Sequence, residues 1–271
     1  MATELLRSNH PERWRTGARP WLRQVESGAV DRRGRFIVPR PFLAARWCDV
    51  LLLTFEAPDD LIRRLVPAGV EPDRWNSRTH VSLVALGMRH VRVRGWPVPG
   101  FSAHLQVNFR TYIRYRGEPG VWFIREFVPS RLLAAVAWLK FGEPFGTAPI
   151  RVRVEEQESS LRASYQLERP ELGWHLTMAG SRATQVPPPD SAEHYFKERV
   201  LACRVRRDGG LGVFRVEHPP WAVREVTAVD YRVDFGFLYG ADWRFLNDAR
   251  PVSAIFCPGS DVAVYQPVRA P

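Results

Sequence analysis

With 45% hydrophobic and 25% charged side chains in 271 residues, the chain has the composition of a folded protein long enough for one large core. This excludes disorder throughout, and the lack of any apolar run of about eighteen residues argues against a membrane-spanning helix. The net charge of +10 raises nucleic-acid binding, but residues 1–40 hold nine arginines against four acids and so half of the excess; no zinc-finger spacing, RNP-like motif or helix-turn-helix pattern supports it.

Residues 1–40 mix Arg, Gly and Pro with isolated Trp14, Trp21 and Phe36 and keep no period, which predicts an Arg-rich, largely flexible leader. The first fifteen residues show neither an apolar h-region nor a small-residue cleavage site, so a cytoplasmic protein is expected. Residues 41–271 are expected to form a single domain. Val50 to Ala57 is a nearly continuous apolar run suited to a buried strand, and Pro58-Asp59-Asp60 opens a short helix that Pro67 stops. Thr79 to Gly95 alternates, with Gly87 expected to mark a bulge.

His104 to Tyr115, HLQVNFRTYIRY, alternates strictly. Leu105, Val107, Phe109, Thr111, Ile113 and Tyr115 fall on one face, and His104, Gln106, Asn108, Arg110, Tyr112 and Arg114 on the other. Period two is a strand. Its polar row either meets solvent or lines a wet interior, and alternation alone leaves both open. Gly117 to Gly120 is a tight connection to a return strand, Gly120 to Val128. Ser130 caps an apolar helix ended by Gly142 and Pro144. Alternating runs follow at 150–157, 160–169 and 173–181, then a short helix at 192–199, two strands joined across Arg207 to Gly210, and strands within 227–237 and 251–267. About ten strands against three short helices predict an α+β, mainly antiparallel structure. So many strands should close, or nearly close, into a barrel, since an open sheet exposes its edges.

Much chemistry has no carrier. The seven histidines give no HExxH or HxH, and there is no Walker loop and no GxSxG elbow, so neither a cofactor nor a metal is expected. Cys48, Cys203 and Cys257 are widely spaced in apolar runs, which predicts buried free thiols. The only lysines among 39 basic residues are Lys140 and Lys197.

Residues 47–75, 106–150, Tyr195 to Val200, His218 to Trp221 and Pro258 to Pro267 together resemble the YqjF-like family of unknown function, domain of unknown function 2071, over about residues 41–267. That family is similar in fold to acetoacetate decarboxylase, so the resemblance implies a cone-like antiparallel barrel around a small-molecule cavity, with the polar row pointing inward. The decarboxylases use an imine-forming lysine in a Gly-aromatic-Pro-Lys segment. Gly142-Glu143-Pro144-Phe145 matches that segment here, and the lysine position holds Phe145, which cannot form an imine. Their carboxylate on the preceding strand is matched by Gln106, which is neutral. The resemblance thus implies a small-molecule-binding protein for a carboxylate or carbonyl compound, with no imine on either lysine; whether it catalyses a reaction stays open.

Within such a barrel Arg110 is the candidate for holding an anion, or it forms a salt bridge to Glu126 or Glu198. Tyr112 either orients a substrate oxygen or fills the wall, and Gln106 and Asn108 pair with ligand or backbone. Phe145 and Trp221 are candidates for the apolar walls, or ordinary core. His218 is the one histidine nominated as a proton carrier, against a turn role beside Pro219. Glu198 and Arg199 are expected to pair with each other. The competing reading is a homo-oligomeric scaffold or partner-binding module, with association of the leader to nucleic acid or an anionic surface as a third.

Overall fold

The computed structural model describes residues 40–98, 100–131, 134, 145–168, 173–206 and 209–269. The expected leader and the helix expected after Ser130 fall almost entirely outside the described residues. Strand β1 (Leu43–Ala57) extends the apolar run expected from residue 50 back by seven positions. Helix α1 (Asp59–Leu65) carries acids in its first turn and arginines in its last, which suits the helix dipole and forms the pairs Arg63–Asp59 (2.6 Å) and Arg64–Asp60 (2.7 Å). Then come β2 (Val70–Pro72), β3 (Thr79–Val93), β4 (Trp96–Pro97), β5 (Ala103–Tyr115) and β6 (Glu118–Val128). The β5–β6 turn is Arg116-Gly117, with φ of 51° and 82°; two consecutive positive φ values make the tight hairpin whose twist matches its strands.

The rest of the chain contains β7 (Phe145–Thr147), β8 (Ile150–Glu156), β9 (Ser160–Leu167), β10 (His175–Gln185), helix α2 (Ala192–Lys197), β11 (Leu201–Val205) and β12 (Leu211–Glu217). It ends with β13 (Val223–Arg232), helix α3 (Phe235–Tyr239), a 3-10 segment (Ala241–Asn247), β14 (Ser253–Cys257), β15 (Asp261–Val264) and β16 (Val268–Arg269). The segment from Phe235, expected as strand, is helical because the Asp234 side chain accepts the Phe237 N–H at 3.0 Å and caps a new helix.

Pairing is antiparallel except where β6 meets β7 and β11. Seven strands close on themselves in the order β3, β5, β6, β11, β12, β15, β1 and back to β3. One edge of β1 runs along β3; its other edge is shared by β15 at Leu43–Arg46 and β14 at Val50–Thr54. From β14 a second sheet continues through β13, β10, β9 and β8. The bulge expected at Gly87 lies across from it. Asp49 and Val50 of β1 together oppose Leu86 of β3, and Asp49 takes φ 50°. Gly259, φ 91°, packs into this corner: a Cβ there would stand 2.0 Å from the Trp47 carbonyl oxygen.

Alternation along β1, β3 and β5 splits the core. Leu51, Leu53, Phe55, Leu83, Val107 and Phe109 face outward from the ring and pack under the second sheet with Tyr165, Leu176, Met178, Phe235 and Trp243. Each such side chain contributes about 1.5–3 kcal/mol when fully buried, so this cluster supplies much of the stability. The opposite faces, Val50, Leu52, Val84, Leu86 and Tyr112, join Phe196, Trp221 and Val262 inside the ring.

Candidate functional site

The polar row of β5 turns inward. Tyr112 is 0%, Asn108 4% and Arg110 8% exposed, whereas Gln106 and His104 are half-buried, so exposure rises toward the start of the strand. Tyr112 Oη lies 2.5 Å from Ser82 Oγ, which lies 2.7 Å from Thr54 Oγ1; this hydroxyl chain crosses three neighbouring strands of the ring wall. Arg110 Nη2 donates to the Phe196 carbonyl at 3.2 Å, while its Nε, like Asn108 Oδ1, is buried without a partner. Neither carboxylate weighed as its partner takes a hydrogen bond from it, because Phe196 delivers a backbone carbonyl first. Burial lowers the Arg110 pKa from its ordinary value, opposed by Tyr112.

Gln106 donates to Glu126 Oε1 at 2.5 Å. A carboxylate therefore stands beside the neutral Gln106, contributed by β6. Glu126 pairs in register with Asn108 and with Phe145, so the half-buried Phe145 shares a row of the sheet with both.

Helix α2 brings in what the sequence pattern did not single out. Ser191 caps it, accepting the His194 N–H at 3.1 Å. Tyr195 and Phe196 then pack on Tyr112, with ring centroids 5.7 and 5.2 Å away. Lys197 follows with a fully buried side chain, and its Nζ donates to Glu198 Oε1. The same oxygen accepts the Trp221 backbone N–H at 2.9 Å, and Trp221 Nε1 donates to Ser260 Oγ at 2.7 Å. His218 stacks on Trp221 at 4.5 Å, and its Nδ1 lies 3.0 Å from the Pro219 carbonyl, a bond made by the Nδ1–H tautomer that leaves Nε2 with a lone pair. Burial lowers the His218 pKa, with Lys197 and Arg110 adding and the Pro219 carbonyl and Glu198 opposing. The Cys257 thiol is pushed up to about 12 by burial, and it too feels Lys197, Glu198 and Arg110. Glu198 thus lies between Lys197 and His218, its Oε2 standing 3.8 Å from His218 Nδ1.

The expected Glu198–Arg199 pair does not form. Arg199 turns the other way and donates to Asp73 Oδ2 at 2.7 Å, both side chains being 4% exposed. Arg114 holds the other oxygen of Asp73 at 2.9 Å, and the Arg199 guanidinium lies 3.9 Å over the Tyr195 ring. This cluster, invisible to local patterning because it joins residues 126 apart, closes the ring beyond Tyr112.

Other features compete poorly. A groove of about 480 Å³ on the β8–β9 face is lined by Arg151, Arg153, Glu155 and Arg162. Arg151 and Arg153 are 72% and 78% exposed and paired with Glu168 and Glu155, so their charges are already matched and screened. Among the described residues no three His, Cys, Asp or Glu side chains gather as metal ligands, and no helix is long and apolar enough to cross a membrane. Cys48, Cys203 and Cys257 are buried and free, as expected.

The model of DUF2071, described as an uncharacterized conserved protein, matches residues 44–261. The chain is 26% identical to the uncharacterized protein YqjF of Bacillus subtilis (strain 168) over 183 residues, covering 67% of this chain and 75% of that one. Among solved structures it is similar to the enduracididine biosynthesis enzyme MppR complexed with pyruvate, with TM-score 0.59, 13% identity and coverage of 88% and 93%. It is likewise similar to acetoacetate decarboxylase from Legionella pneumophila, with TM-score 0.56, 15% identity and coverage of 86% and 88%. At such identities these two establish the fold alone.

Proposed function

This chain belongs to the DUF2071 family of uncharacterized conserved proteins, and from that premise we propose that the interior of its seven-strand ring binds a small organic carboxylate gripped by Arg110. The observation that carries this reading is Arg110 itself, 8% exposed, with Nε unpartnered and no carboxylate among the described residues hydrogen-bonded to it. A buried cation left in that state is costly, and a ligand carboxylate taking two parallel N–H bonds relieves the cost. Asn108 Oδ1, also unpartnered, offers an acceptor for a ligand hydroxyl or amide, and Phe145 and Trp221 give apolar surface. MppR, complexed with pyruvate, and acetoacetate decarboxylase are fold neighbours that handle small carboxylates, which supports the reading by analogy.

Thermal melts of wild type and Arg110→Met with pyruvate and other short carboxylates test the proposal. At a hundredfold excess over Kd, a ligand of the native state stabilises it by about 2.7 kcal/mol. Wild type should show a saturable rise in Tm and the variant should not. If none of these acids moves the wild-type Tm, or the variant rises equally, the carboxylate site is refuted.

A further inference from the structure

We infer that two copies of this chain associate through β8, edge to edge and antiparallel, so that their second sheets join into one. Among the described residues β8 ends the strand order and pairs with β9 alone. The ladder fixes which backbone groups are left over. Gln157 donates its N–H to the Ser160 carbonyl at 2.9 Å, and Glu168 donates to the Pro149 carbonyl at 2.8 Å, at the two ends of one register. Bonding alternates along an antiparallel strand, so the backbones of Arg151, Arg153 and Glu155 bond to β9. The N–H and C=O groups of Ile150, Val152, Val154 and Glu156 point to the other side.

Such an edge is usually guarded against a further strand by a proline, a bulge, an inward-pointing charge or a row of charges of one sign. In β8 the register with β9 is continuous and no proline falls within it. Its core face carries Ile150, Val152 and Val154, and Glu156 at the strand's end is held by Arg182 at 3.1 Å. Val152 and Val154 pack on the outer core yet stay half-buried, because the second sheet stops there. On the opposite face the charge changes sign along the strand, from Arg151 and Arg153 to Glu155.

That change of sign selects the partner. A two-fold axis beside Arg153 matches every residue of one β8 to a residue of the other. Arg151 then stands opposite Glu155 of the partner subunit, twice, and Val152 opposite the partner's Val154, twice. A guanidinium has five N–H donors, so the bond from Arg151 to Glu168 leaves it able to take a second carboxylate. Arg153 meets its own counterpart, but each already holds Glu155 of its own chain at 2.8 Å, which offsets the like charges. The paired valines extend the outer core across the axis. An unrelated strand would find the backbone groups but not the matching reversal of charge.

Sedimentation velocity of the full-length protein, up to several hundred micromolar, tests the pairing. Wild type should pass from monomer to dimer as concentration rises. Val154→Pro removes one outward N–H without touching the β9 ladder, a change edge strands tolerate, and should stay monomeric with an unchanged circular-dichroism spectrum. Arg151→Glu and Glu155→Arg each set like charges opposite and should weaken the dimer on the order of tenfold. An equimolar mixture of those two variants should dimerise as wild type does, because opposite signs meet again at both contacts; this rescue separates facing strands from a folding defect. Amide exchange in residues 150–156 of wild type should be fast on dilution and slow at high concentration. A wild type that stays monomeric, a dimer that survives Val154→Pro, or single variants that associate no better mixed than apart would each overturn the inference. Protection of residues 150–156 that does not depend on concentration would overturn it too, since the chain would then cover its own edge.

Discussion

Replacing Asp73 by Ala removes the only carboxylate among the described residues that Arg199 reaches, at a point where both side chains are 4% exposed. Arg199 already has Nε and Nη2 without partners, so the variant would leave three of its donor positions unmet in a dry site. Breaking one side of a buried pair costs about 3–5 kcal/mol. The second bond, from Arg114, adds little because that side chain is 47% exposed. At about 2–4 °C per kcal/mol for a domain of this size, the Tm of Asp73→Ala should fall by about 6–20 °C. The double variant Asp73→Leu with Arg199→Met should recover most of that loss, because it removes the stranded charge. It should stop short of wild type by the cation–π contact to Tyr195, about 0.5–2 kcal/mol. Circular-dichroism melts and urea titrations near neutral pH measure both. A loss below about 1 kcal/mol, the range of solvated pairs, would refute the claim that this end of the ring is sealed by a desolvated charge cluster. So would a double variant no better than the single one.

Two further outcomes follow from the same geometry. Gly259→Ala puts a methyl group against the Trp47 carbonyl at a backbone φ of 91°, so strain alone should cost about 1–3 kcal/mol; an unchanged melting curve would show that this corner does not fix the β1 bulge. Burial lowers the His104 pKa from 6.5 to about 4 and shifts His80 and His218 in the same direction. The unfolded chain then binds protons that the native state refuses, so stability is complete above about pH 6.5 and falls as pH drops toward 4. His104→Gln should flatten part of that decline in melts taken across the window, and a Tm that rises on acidification would contradict the buried, neutral imidazoles.

How much of this was legible in the sequence depends on whether the information was local. The period of two from His104 to Tyr115 was enough to sort Val107 and Phe109 from Asn108, Arg110 and Tyr112, and the structure puts the two sets in different clusters. It did not say which face was inside, because both faces of β5 are buried: one under the second sheet, the other within the ring. Gly87 drew attention as a bulge because glycine is the usual mark of one, yet the extra residue sits on β1, where Asp49 takes the positive φ. A non-glycine residue in that conformation leaves no signature in composition. Phe235 to Tyr239 kept the β-like composition of the strand before it, and only the cap from Asp234 converts it to helix.

The site was legible in its walls and hidden in its contents. Arg110 and Tyr112 belong to a regular strand, so their face followed from counting. Lys197, Glu198, Asp73 and Arg199 come from helix ends and connections, where no period assigns a direction. Glu198 and Arg199 are adjacent in sequence and were expected to pair, but a chain leaving a helix rotates successive side chains apart. Glu198 goes to Lys197 and Trp221, and Arg199 to Asp73. That divergence sends neighbouring side chains of one short segment to two separate charge clusters. Arg199 joins Asp73 at the end of the ring through a charge pair whose loss is felt as stability, whereas Glu198 ties Lys197 to the Trp221 backbone inside it. Glu198→Gln, which leaves the buried Lys197 amine without this carboxylate, should therefore lower Tm as Asp73→Ala does, and an unchanged circular-dichroism melt would show that the pair does not steady the ring interior.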